Sequence, residues 1–105
     1  MVKVVYEDTF VDVKNAKYAL VDFYADWCGP CKQLGPIVTE LSNDFEGKVE
    51  FFKLDVDEAP ELCDEYAITN IPCLILFKDG EVVSKSVGFR PKNGIENWIN
   101  ENIKD

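Results

Sequence analysis

Apolar positions along the chain follow two kinds of spacing. Short apolar runs of strand length occupy residues 2–6, 20–24, 49–54 and 74–77, with a weaker one at 82–87. Between them the spacing becomes helical: Leu34, Ile37, Val38, Leu41 and Phe45 fall on one face of a helix, and Ile95, Trp98, Ile99 and Ile103 repeat that stripe. Asn93 and Glu96 stand three apart before the second stripe, as a cap and its reciprocal partner do, and Thr9 and Asp12 have the same spacing before a short first helix. Pro60 suits the first turn of a further helix running through Leu62 and Tyr66. Asp79-Gly80 lies between two strand-like runs and tolerates the positive φ that a tight hairpin demands. The order of elements is β-α-β-α-β-α-β-β-α. Strands joined by helical crossovers are expected to run parallel, and the hairpin adds an antiparallel strand at the end. Residues 20–24 and 74–77, apolar on both faces, are expected at the centre. The class is α/β, a mixed sheet flanked by helices.

Composition narrows the function. A chain of 105 residues with 47% hydrophobic positions has the size and core of one domain, taken as residues 1–105. Eleven basic against twenty acidic residues give a net charge of −9, which argues against nucleic acid or an anionic membrane as partner. Histidine is absent, removing the commonest proton shuttle and metal ligand, so serine proteases, zincins and most metallohydrolases are disfavoured. No apolar run has the length of a signal sequence or membrane span, and four cysteines are too few for a secreted disulfide scaffold. A cytoplasmic monomer is expected.

Chemistry concentrates at Trp27-Cys28-Gly29-Pro30-Cys31-Lys32, where an apolar strand gives way to a long helix. Two thiols three residues apart on a first helical turn can close a small disulfide ring. Cys28, at the helix start, has its sulfur near unpaired N–H groups and the positive end of the helix dipole. Both stabilise a thiolate and lower a thiol pKa from ~8.5 into roughly the 3.5–7.5 range. Cys31, a turn deeper and less exposed, suits the resolution of a mixed disulfide. Pro30 stiffens the ring and Trp27 supplies an apolar rim. Two alternatives stand beside this one: half of a zinc or iron–sulfur site, for which only Cys63 and Cys73 remain as further thiol ligands, or a pair of inert buried cysteines.

Asp22 interrupts the strand at 20–24, where burial raises a carboxyl pKa into the range of a usable proton acceptor. From there it is placed to take the proton of Cys31 through water; on an edge strand it would face solvent instead. Lys53, in another apolar strand, is either its buried counter-charge or a solvent-facing lysine. Pro72 is foreign to a central strand and marks its first residue or a special turn. Pattern alone leaves the Ile71–Pro72 bond trans.

Taken together, these residues resemble the thioredoxin family over essentially the whole chain. The resemblance is carried by the stretch from Val21 through Asp22, Trp27, Cys28, Gly29, Pro30 and Cys31 to Lys32, by Pro36, by Lys53-Leu54-Asp55-Val56-Asp57, by Ile71-Pro72, by Phe77-Lys78-Asp79-Gly80 and by Val87-Gly88. It implies the thioredoxin fold, a central mixed sheet flanked by four helices, and the activity of a general protein-disulfide reductant without cofactor or metal. By the same resemblance, Cys28 attacks a substrate disulfide and Cys31 releases the reduced protein, leaving Cys28–Cys31 oxidised. Asp22 and Lys53 match a buried pair beneath the dithiol, and Pro72 matches a cis-proline packed against it. Trp27, Gly29, Pro30, Ile71, Pro72 and Gly88 would line a shallow apolar docking surface, where Ile71 offers backbone hydrogen bonds to an extended client segment. Thioredoxin reductase would regenerate the dithiol, and ribonucleotide reductase, peroxiredoxins and methionine sulfoxide reductases are the implied clients.

Three positions depart from the family pattern: Tyr24 stands where many members carry a second tryptophan, Cys73 replaces a common threonine, and Cys63 occupies a usually small position. Cys63 and Cys73 are either small buried residues or, for Cys73, a third thiol able to exchange with the Cys28–Cys31 disulfide. A thiol oxidase or disulfide isomerase is a competing class, against which Asp22 and the Gly29-Pro30 pair weigh. A binding module whose cysteines are incidental is another.

Overall fold

The two segments that are apolar on both faces lie in the middle of a five-stranded sheet in the computed structural model, which describes residues 1–104. In chain order the elements are β1 (Val2–Val4), α1 (Val11–Asn15), β2 (Tyr18–Tyr24), α2 (Gly29–Asp44), β3 (Glu50–Asp55), α3 (Pro60–Glu65), β4 (Cys73–Lys78), β5 (Glu81–Val87) and α4 (Lys92–Asn102), with 3₁₀ turns at Glu7–Thr9 and Val56–Glu58. Their order across the sheet is β1-β3-β2-β4-β5. This is the expected α/β class and the thioredoxin fold.

Strands β1 and β2 both run parallel to β3. The expectation that every helical connection produces a parallel pair fails at β4, which runs antiparallel to β2 although α3 precedes it. The cause is the length of α3. Its six residues span about 9 Å, whereas a six-residue strand such as β3 spans about 20 Å. The helix therefore cannot return the chain to the far end of the sheet, and β4 re-enters from the end where β3 left. The β4–β5 hairpin forms as expected: Asp79 and Gly80 adopt φ of 51° and 84° in its turn.

Alternation along the strands divides the core into two layers. On one face Val21, Phe23, Phe52, Ile75 and Phe77 pack with Val13 of α1 and Leu62 of α3. On the other, Leu20, Phe51, Leu74 and Leu76 pack with Leu34, Val38 and Leu41 of α2 and with Ile95, Trp98 and Ile99 of α4. Both helical stripes read from the sequence face this core, with Ile37 and Ile103 only partly buried.

Two expected caps are placed differently. Helix α4 begins at Lys92, one residue before Asn93, with Pro91 in the capping position at φ −67° and no side-chain cap. Proline pre-sets the backbone there, and its carbonyl accepts the N–H groups of Gly94 and Ile95. Thr9 does not cap α1; its hydroxyl accepts the Tyr6 N–H at 2.9 Å and closes the preceding 3₁₀ turn. Pro60 does open α3, but the helix ends at Glu65, with Tyr66 as its C-cap. A cap not read from the sequence lies here: Glu7 Oε2 accepts the N–H groups of Glu61 (2.8 Å) and Leu62 (3.1 Å) at the start of α3. Among the described residues, no helix is long and apolar enough to cross a membrane.

Candidate active site

Strand β2 delivers the chain to the end of the sheet at Tyr24, and α2 starts five residues later. Cys28 occupies the N-cap of α2 in extended conformation, and Pro30 lies in the first turn. Cys28 and Cys31 are joined as a disulfide with a Cα–Cα distance of 5.3 Å, the closure that a dithiol pair at this spacing allows. Its neighbours are Ala25 and the partly buried Tyr24, Val56 and Ile71. The two sulfur-bearing residues are equally covered, each 5% exposed, so Cys31 is not the less exposed of the two as expected. The difference between them is electrostatic. The backbone N–H of Cys31 donates to Cys28 Sγ at 3.2 Å, so Cys28 faces the positive end of α2 with a donor already aimed at its sulfur.

Around this pair the structure brings several of the expected residues together. Trp27 is 69% exposed, and its indole N–H donates to Asp57 Oδ2 at 2.9 Å. The Asp57 backbone N–H in turn donates to Asp55 Oδ1 at 3.0 Å, which fixes the 3₁₀ turn carrying it. Gly29 and Pro30 are exposed on the first turn of α2. The Ile71–Pro72 bond is cis, as the resemblance implied and the pattern alone did not. Pro72 is buried and its carbonyl accepts the Gly88 N–H at 2.8 Å, while Ile71 packs toward the disulfide. Gly88 sits at φ +90°, a backbone region that side chains rarely adopt, so the chain turns sharply beside the proline. Asp57, Val56 and Val87 entered the sequence reading only within an apolar run and the stretches that carry the resemblance, with no site role, and Phe89 did not enter it; Val87 and Phe89 form an exposed apolar pair beside Gly88. None of them carries a spacing signal; only the fold brings them to this end of the sheet.

Asp22 is buried at 5% exposure in the central strand, so the edge-strand alternative does not hold. Its Oδ1 has no hydrogen-bond partner. Burial pushes its carboxyl up from 3.8 to about 7, and the charge of Lys53 opposes this more weakly. Lys53 is Asp22's register partner on β3, half-buried, with its ammonium 5.8 Å from the centroid of the Tyr24 ring. Both Asp22 and Lys53 line a cleft of about 320 Å³ together with Gly35, Val38 and Thr39 of α2, which gives the buried carboxyl a route to solvent.

The other two cysteines are free and differently placed. Cys73 is 2% exposed in the core layer of Phe23 and Ile75, not in the cluster around the disulfide, and burial raises its pKa. Cys63 is half-buried with its sulfur 3.8 Å from the Val56 carbonyl, and burial raises its pKa too. Neither occupies a helix N-cap as Cys28 does.

Comparison with known proteins gives the same answer. Residues 1–101 match the family described as Thioredoxin. Thioredoxins of Staphylococcus epidermidis and Staphylococcus aureus are each 49% identical to this chain over 84 residues, covering 80% of it and 81% of the relative. With a helix-capping Cys28 bonded to Cys31 at the end of a mixed five-stranded sheet, the chain belongs to the thioredoxin family and is a protein-disulfide oxidoreductase working by dithiol–disulfide exchange.

Proposed function

We propose that Cys28 is the attacking and Cys31 the resolving thiol of a general disulfide reductant that maintains cellular redox balance. The observation that carries this assignment is the bond from the Cys31 N–H to Cys28 Sγ at the start of α2, because the same donor stabilises a Cys28 thiolate after reduction. The thiolate attacks one sulfur of a client disulfide. That S–S bond breaks, the other client sulfur leaves, and a Cys28–client mixed disulfide forms. Cys31 then loses its proton and attacks Cys28 Sγ, expelling the second client sulfur. The client gains two electrons as a dithiol, and the protein retains the Cys28–Cys31 disulfide.

Asp22 is the acceptor for the Cys31 proton, through water. A carboxyl titrating at about 7 holds and releases a proton within the working pH range, and the cleft lets it exchange with solvent. Lys53 serves as the charge that keeps Asp22 from rising further. The client lies across Trp27, Gly29, Pro30, Ile71, Pro72 and Gly88. Exposure of Trp27, Val87 and Phe89 near these positions supports an apolar docking surface. Thioredoxin reductase returns the disulfide to the dithiol, and ribonucleotide reductase, peroxiredoxins and methionine sulfoxide reductases are the clients we assign. The working unit is a monomeric single domain of the cytoplasm.

Substitution separates the steps. Cys28→Ser should abolish disulfide reduction, and Cys31→Ser should accumulate a mixed disulfide recoverable with client attached. Recovering no trapped client from Cys31→Ser protein would overturn the assignment. Asp22→Asn should slow resolution more than attack in single-turnover kinetics; slowing of attack alone would remove Asp22 from the role.

A further inference from the structure

We propose that Tyr24 is a positioning residue whose ring holds the Lys53 ammonium beside Asp22 and thereby sets how readily Asp22 exchanges its proton. Alternation along β2 puts Asp22 and Tyr24 on the same face, and the β2–β3 register puts Lys53 directly opposite Asp22 on that face. The Lys53 ammonium lies 5.8 Å from the Tyr24 ring centroid, within the range of cation–π attraction. Few other groups on the surrounding elements bear on Asp22. Helix α2 contributes Gly35, Val38 and Thr39 to the cleft, β4 places Leu74 opposite Asp22 and brings the Cys73 thiol within reach of its charge, and the amino-terminal Met1 stands at the cleft wall. On the outer side the balance is different, since the carboxylates of Asp26, Asp55 and Glu58 all act on Tyr24. Lysine is a flexible stem with a compact charge. Without an aromatic face it is free to turn outward to those carboxylates, leaving the unpartnered Oδ1 of Asp22 with less compensating charge.

The kinetic consequence rests on Asp22 being the proton acceptor, but the positioning itself does not, and the test reads the positioning directly. The Asp22 carboxyl is titrated by carbon NMR in the oxidised protein and in Tyr24→Leu, Tyr24→Phe, Lys53→Met and the Tyr24→Leu/Lys53→Met pair. Tyr24→Leu should raise the midpoint by roughly half a unit, the size expected when a unit charge near a buried carboxylate retreats by a few ångström. Tyr24→Phe, which keeps the ring face, should leave it in place, and the double variant should match Lys53→Met alone. An unchanged midpoint in Tyr24→Leu overturns the proposal, as does an equal further rise in the Lys53→Met background. A second readout needs no substitution: the Lys53 ε-protons should show an upfield ring-current shift in the unaltered protein, and its absence also overturns the proposal. Failure of Asp22→Asn to slow resolution would instead remove the proton acceptor and leave these titrations as they stand.

Discussion

Replacing Asp22 by asparagine should stabilise the oxidised protein by an amount that grows with pH. The folded carboxyl titrates at about 7 because it is buried without a partner at Oδ1, while the unfolded chain returns it to 3.8. Between those values the folded state binds a proton that the unfolded state has lost, so stability falls as pH rises through the window. Above pH 7 both states are ionised and the loss is complete. About three units at roughly 1.4 kcal/mol each put it at roughly 4 kcal/mol. Only 5% of Asp22 is exposed, so solvent screening removes little of this. Asparagine keeps the shape and cannot ionise; its unpartnered amide adds an offset that does not depend on pH. Guanidinium unfolding of both proteins from pH 4 to pH 8.5 at constant ionic strength isolates the effect, because the other acidic groups cancel in the difference. The stability difference should rise in favour of the variant by roughly 4 kcal/mol across that range. A difference flat to within about 1 kcal/mol, or one moving the other way, would refute the reasoning.

Three further outcomes follow from particular contacts. Glu7→Ala removes the acceptor for two N–H groups at the start of α3 and should cost about 1–2 kcal/mol in urea unfolding; an unchanged midpoint would contradict the cap. Gly80→Ala meets both φ +84° and a Lys14 carbonyl oxygen 3.2 Å from the added carbon, whereas Gly47→Ala meets the same φ in open space. The first should therefore destabilise by more than the second, which should lose about 1 kcal/mol, and equal losses would exclude the steric part. In reduced native protein, iodoacetamide should label Cys28, whose sulfur faces the Cys31 N–H at the start of α2, well before Cys73, whose thiol burial pushes up; comparable rates in mass spectrometry would contradict that difference in thiolate stability.

Much of the site was legible because its chemistry is local. Cys28, Gly29, Pro30 and Cys31 share one strand-to-helix junction, and a carboxylate at Asp22 inside an apolar run marks itself by the cost of burying it. What was not legible depends on distances between elements. The direction of β4 follows from how far α3 reaches, and the alternation of apolar residues is the same for either direction. Asp57 reads as one acid among several until the turn at Val56–Glu58 sets it against Trp27. Glu7 has no spacing relation to α3, yet it caps that helix from fifty-four residues away. Lys53 was left open between counter-charge and surface lysine because both depend on what lies across the strand pair. The structure places it half-buried, in register with Asp22 and 5.8 Å from the centroid of the Tyr24 ring. Asn93 and Glu96 had the spacing of a cap, but Pro91 starts α4 earlier and takes the position.

Equilibrating the protein in graded thiol/disulfide buffers, with alkylation and mass counting at each step, tests the central claim most directly. The account predicts one two-electron transition confined to Cys28 and Cys31, at a potential well below glutaredoxin-like values, with Cys63 and Cys73 unchanged. A markedly more oxidising couple would contradict the reductant and point to an oxidase or isomerase, and no transition at Cys28 and Cys31 would contradict dithiol–disulfide exchange altogether.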